Sequence, residues 1–185
     1  MELAATLIQD KLIEGAKQGD ALSYRALYDQ YAKAMYNTSL RIVNNAADAE
    51  DILQEAFADA FRFLDNFQQK STFGAWLKRI VVNKSINKVK REKQYHVDLE
   101  HAGSRLLIDE DYTDEDDHRY RVEEIKKAIQ QLPDGYRTVL CLYLLEDYKH
   151  DEIAVMLGIS SATVRSQYFR AKQKLIDILK QGGLQ

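Results

Sequence analysis

Apolar residues recur every three to four positions along most of this chain, and short polar clusters interrupt them. The spacing predicts successive helices over Leu7 to Lys17, Ala21 to Val43, Asp48 to Phe67 and Phe73 to Glu92, with Gly19-Asp20 and Asn44-Asn45 marking breaks. In the third, Ile52, Leu53, Ala56, Phe57, Ala60, Phe61 and Leu64 form a broad apolar stripe. Asp48, Asp51, Glu55 and Asp59 share another face, at steps of three and four. In the fourth, Phe73, Trp76, Leu77, Ile80 and Val81 form the core side, while Lys84, Lys88 and Arg91 share an exposed one. From Gln94 to Arg121 the periodicity fades and polarity rises, as expected of a flexible tether. Helical spacing returns over Val122 to Gln131. Pro133 then suits the first turn of a following helix, and Arg137 to Glu146 offers the apolar face Val139, Leu140, Leu142, Tyr143 and Leu144. The pattern is all-α. It describes an N-terminal helical bundle over 1–93, a linker over 94–121 and a small C-terminal helical domain over 122–185.

The last domain carries a finer signal. In HDEIAVMLGISSATVRSQ, from His150 to Gln167, a short helix would stop at Gly158, which tolerates positive φ. Ser160 or Ser161 can cap the next helix, and Val164 returns as its buried residue. A small Ala154 lets the two helices cross closely. This is a helix-turn-helix, whose second helix enters the major groove. That helix presents Ser161, Ala162, Thr163, Arg165, Ser166, Gln167 and Arg170. Arg and Gln can read base edges through paired hydrogen bonds, and Ser and Thr serve phosphates or bases.

Charge changes the picture, because the net value of −3 over 185 residues is an average of opposed patches. Lys70 to Lys93 is basic apart from Glu92, Asp109 to Asp117 is almost purely acidic, and the chain turns basic again after Arg165. A basic face binds phosphate locally whatever the chain's total. Cys141 is the only cysteine and sits inside an apolar run, so a core thiol in a reducing compartment is expected, without disulfides. The N-terminal stretch does not read as a signal peptide, and no apolar run reaches membrane-spanning length; a cytoplasmic protein without membrane insertion is expected. His96, His101, His118 and His150 lack metal-ligand spacing, and no phosphate loop is present. Neither catalysis nor a cofactor or metal is expected.

Several separate stretches resemble one family in order. GDALSYRALYDQYAKAMY, DAEDILQEAFADAF, FGAWLKRIVVNKSINKVKRE and LPDGYRTVLCLYLLEDYKHDEIAVMLGISSATVRSQYFRAKQKL are similar to the second and fourth regions of the bacterial sigma-70 RNA polymerase sigma factors. The likeness is to the compact extracytoplasmic-function (ECF) group. It implies a subunit that binds core RNA polymerase and directs promoter recognition, melting and transcription initiation.

The resemblance also implies roles for residues. The helix Asp48 to Phe61 would dock on the clamp of the polymerase's largest subunit through Asp48, Asp51, Gln54 and Glu55. Gln68, Lys70, Ser71, Asn83, Lys84, Asn87, Lys88 and Arg91 would meet the minus-ten element, where the cost of unstacking is recovered by holding a flipped base and its strand. The residues from Ser161 to Arg170 named above would meet the minus-thirty-five element. An anti-sigma factor is a further partner the family implies. In two places the chain departs from the family pattern: Asn87 stands where Asp is common, and Ala162 and Gln167 replace the usual Gly and Arg. The acidic tether would either mimic nucleic acid near the polymerase's active centre or serve as a spacer. Two other readings remain open on the residues alone: a dimeric stand-alone helix-turn-helix regulator, and a helical interaction protein without DNA binding.

Overall fold

The computed structural model describes residues 2–68, 70–98 and 117–182, and every regular element among them is helical. The order is α1 (Glu2–Lys17), α2 (Ala21–Val43), α3 (Ala46–Arg62), a 3-10 turn (Leu64–Asn66), α4 (Phe73–Asp98), α5 (Asp117–Gln130), α6 (Asp134–Leu144), α7 (His150–Leu157) and α8 (Ser161–Gln181). These form two compact units, one of residues 1–40 and 46–85, the other of 41–45 and 86 onward. The acidic tether falls, over residues 99–116, outside the described residues.

The first unit forms because α2 and α3 each bury one stripe. Asp20 starts α2 by accepting from Ser23 N at 3.0 Å, Ser23 Oγ at 2.5 Å and Leu22 N at 3.3 Å. The Ser23 hydroxyl first, then the two amides, hold the Asp20 carboxyl below its ordinary pKa. Three tyrosines of α2 then meet three phenylalanines: Tyr24 lies 4.6 Å from Phe61, Tyr28 4.7 Å from Phe57 and Tyr31 5.5 Å from Phe73. Gly74 is required beside the last of these, since a Cβ there would lie 2.7 Å from the Tyr31 ring. Trp76 is half-buried between Phe67 and Phe73, at 5.1 and 5.8 Å, as the periodicity of α4 suggests. Ser85 joins Ser39 at 3.1 Å inside the core, so the buried hydroxyls satisfy one another.

Several boundaries differ from the sequence pattern. The third helix ends at Arg62, and Leu64–Asn66 tightens into a 3-10 turn that buries Leu64 and Phe67 together, three residues apart on one face. Helix α4 runs on to Asp98 and α5 begins at Asp117, within the segment that lacks apolar spacing. Apolar spacing reports burial, whereas straight-chain charged residues such as Arg91 and Glu92 favour the helix without being buried.

In the second unit Ile129, Leu132, Leu140, Cys141 and Ala171 form a core, flanked by Tyr136, Leu175 and Ile178. Arg137 is buried at 2% exposure; its Nη1 donates to Leu132 O at 2.9 Å and its Nη2 to Asp134 at 2.8 Å. These bonds tie the end of α5 to the start of α6. Val139, Leu140 and Leu142 are inside as expected, Arg137 and Thr138 join them so that α6 is buried all round over residues 137–142, and Tyr143 and Leu144 reach the surface. Two acceptors, Leu132 O and Asp134, offset part of the cost of burying the Arg137 guanidinium. Burial pushes the Cys141 thiol up to about 12.

Candidate nucleic-acid interface

The helix-turn-helix is built as its residues dictate. Glu152 accepts from Lys149 N at 2.8 Å at the start of α7. Gly158 ends it at φ 69°, with Ile159 N donating to Ala154 O at 3.1 Å. Ser160, not Ser161, caps α8, its hydroxyl accepting from Thr163 N at 3.0 Å. Ser161 instead donates to Asp151 at 2.5 Å, pinning the first turn of α8 to α7. Ile153, Ala154, Val164 and Ala171 are buried.

With those four inside, α8 turns its other face outward. Ala162, Thr163, Arg165, Ser166 and Arg170 are exposed, and Ser161 and Gln167 are half-buried. The residues expected to meet the minus-thirty-five element thus lie on the part of α8 not buried against α6 and α7, with Ser161 engaged by Asp151. Tyr143 stacks on His150 at 4.3 Å, and Tyr168 leans on both at 4.7 and 5.4 Å. Burial, then the neighbouring Tyr143, raises the Tyr168 phenol pKa. This stack holds α6, α7 and α8 together. Sequence reasoning missed it, because Tyr143 and His150 fall on different helices.

Acidic residues dominate the outer face of α3. Asp51, Gln54 and Glu55 are exposed and Asp48 is half-buried. On α4, Asn83, Asn87 and Arg91 are exposed, and Lys84 and Lys88 are half-buried. Gln68, Lys70 and Ser71 are exposed in the preceding loop. Thr72 starts α4, its hydroxyl accepting from Ala75 N at 3.2 Å. Lys88 pairs with Glu92 at 3.6 Å. Lys84 reaches across to α3, 2.7 Å from Asp59 and 3.1 Å from Glu55. One residue expected to meet DNA is therefore bonded to one expected to meet polymerase. Asp59 completes the trio. Its place four residues after Glu55 was the only sequence signal for it.

Among the described residues no group of three or more His, Cys, Asp and Glu could hold a metal. No helix among them is long and apolar enough to cross a membrane.

Comparison with known proteins agrees with this geometry. Sigma-70 region 2 matches residues 27–95, and sigma-70 region 4 matches residues 122–175. The ECF RNA polymerase sigma factor SigW of Bacillus subtilis is 33% identical over 174 residues, covering 89% of this chain and 93% of that protein. The RNA polymerase sigma-H factor of Pseudomonas aeruginosa is 32% identical over 174 residues, covering 89% and 90%. The sigma factor RpoE, solved in complex with the anti-sigma factor NepR from Bartonella quintana, shares the fold with a TM-score of 0.59 at 20% identity, over 85% of this chain and 96% of that one. Both sigma regions stand in order along a chain that matches SigW over nearly its whole length, and the chain belongs to the ECF group of sigma-70 RNA polymerase sigma factors.

Proposed function

We propose that this chain is a promoter-specificity subunit: it binds core RNA polymerase, brings it to promoters and helps open the duplex for transcription initiation. The observation that carries the reading is the outward face of α8, whose exposed Thr163, Arg165, Ser166 and Arg170 match a groove-reading helix, in a chain that also matches sigma region 2. A stand-alone dimeric regulator gives no reason for region 2, and is not favoured.

The division of labour follows the sequence. Residues 1–93 take the polymerase and the minus-ten element, 94–121 link, and 122–185 take the minus-thirty-five element. Asp48, Asp51, Gln54 and Glu55 form the polymerase-docking face on α3. Gln68, Lys70, Ser71, Asn83, Asn87, Lys88 and Arg91 hold the minus-ten strand, the amides at base edges and the cations on phosphates. Ser161 to Gln167 and Arg170 read the minus-thirty-five duplex. Two modest DNA contacts on one polymerase combine through effective concentration, so the free chain binds promoter duplex poorly. The protein works in the cytoplasm, uses no cofactor, and performs no catalysis of its own. An anti-sigma factor is its regulator, as NepR is a partner of RpoE.

The test is assembly with sigma-free core RNA polymerase from the source organism or a close relative, followed by size exclusion. A stoichiometric complex is expected, lost in the double variant Asp51→Arg plus Glu55→Arg. Survival of the complex in that variant removes the docking assignment. No complex at all, together with dimeric binding to duplex DNA, removes the sigma reading.

A further inference from the structure

Lys84 sits among the cations of α4 in sequence, but its surroundings are those of α3. Its side chain is 24% exposed, with Nζ donating to Glu55 Oε2 at 3.1 Å and lying 2.7 Å from Asp59 Oδ2. Glu55 and Asp59 stand one helical turn apart, where like charges repel. One ammonium between them relieves that repulsion and leaves the trio with one net negative charge. Burial alone would lower the Lys84 pKa; bonds and charges from Asp59 and Glu55 outweigh it and raise the value, so the ammonium stays charged. A DNA phosphate arriving here would meet a cation held by two carboxylates, inside a net negative cluster. That is a poor phosphate site.

We infer that Lys84 is a positioning residue of the polymerase-docking face, acting through Glu55, and is not a contact to the minus-ten strand. This rests on the reading of α3 as the docking helix. Glu55 is 66% exposed, against 36% for Asp59, so Glu55 is the member of the trio offered to a partner. Lys84 holds its Oε2 and leaves Oε1 for a donor on the polymerase. Fixing a long carboxylate side chain before docking removes part of the ordering cost that binding would otherwise meet. Of the α4 cations expected at DNA, Arg91 is exposed and Lys88 is paired with Glu92, beside the exposed amides of Asn83 and Asn87.

The experiment uses the full chain carrying Lys84→Ala or Lys84→Arg, with core RNA polymerase and a promoter fragment. Two quantities are read: the dissociation constant for core, and the slope of log promoter affinity against log salt for holoenzyme at saturating core. Lys84→Ala is expected to weaken core binding by about 2- to 5-fold, the range of a surface ion pair. Lys84→Arg should restore most of it, and the salt slope should not change. The loss should also disappear in a Glu55→Gln background, which a general loss of folding would not reproduce. Thermal midpoints of each variant keep the comparison to folded protein. A phosphate contact would instead lower the slope by about 0.7 for single-stranded DNA. A lower slope, or an unchanged core affinity, overturns the inference. Failure of the unsubstituted chain to bind core is a separate result, which removes the sigma reading itself.

Discussion

The outer face of α3 and the outer face of α8 are both charged, but they handle charge in opposite ways. On α3 the carboxylates of Glu55 and Asp59 are tied to Lys84 from the next helix. On α8, Arg165 and Arg170 stand in solvent and form no ion pair among the described residues. The first surface is partly compensated, its trio keeping one net negative charge, and suits a folded protein partner that will exclude water. The second leaves its cations unspent, and suits a polyanion whose counterions are released on contact. Net charge conceals both arrangements.

The difference can be broken most forcefully at Arg165. Arg165→Ala should weaken minus-thirty-five binding by roughly 10- to 100-fold, the value of a bidentate base contact, and relax selectivity at one base pair. Holoenzyme footprinting over a set of single-base promoter changes reads both effects; a uniform loss across sequences would make Arg165 a phosphate contact instead. A milder change makes the second face resemble the first. Gln167→Glu places a carboxylate three residues before Arg170, so promoter affinity should fall several-fold and the salt slope should drop by about 0.9. An unchanged slope would mean that Arg170 does not touch phosphate. Smallest is Ser160→Ala, which removes the hydroxyl bonded to Thr163 N and should cost about 1 kcal/mol of stability. Urea unfolding followed by circular dichroism measures it, and a loss near zero would show that Asp151 and Ser161 alone hold the helix start.

Much of this was legible in the sequence where the determinant is local. Ala154, Gly158 and Val164 fix the helix-turn-helix because each acts within one or two turns of its own backbone. The outward face of α8 follows from that register, and so does the exposure of Thr163, Arg165, Ser166 and Arg170. What acts between helices was not legible. Nothing in the spacing of Lys84, Lys88 and Arg91 says that the first reaches Glu55 and Asp59 of α3. The burial of Arg137 was hidden for the same reason: it is an unfavourable core residue unless acceptors such as Leu132 O and Asp134 meet it. Burial of a charged group is a tertiary event, and a one-dimensional pattern of apolar positions reads it in reverse.

The lone cysteine has a consequence for how the protein can be governed. Cys141 is fully buried, and its thiol ionises only near pH 12. At neutral pH almost none of it is the reactive thiolate, and no reagent reaches it without unfolding the core. The folded chain is therefore deaf to oxidants and thiol-modifying stress acting through cysteine.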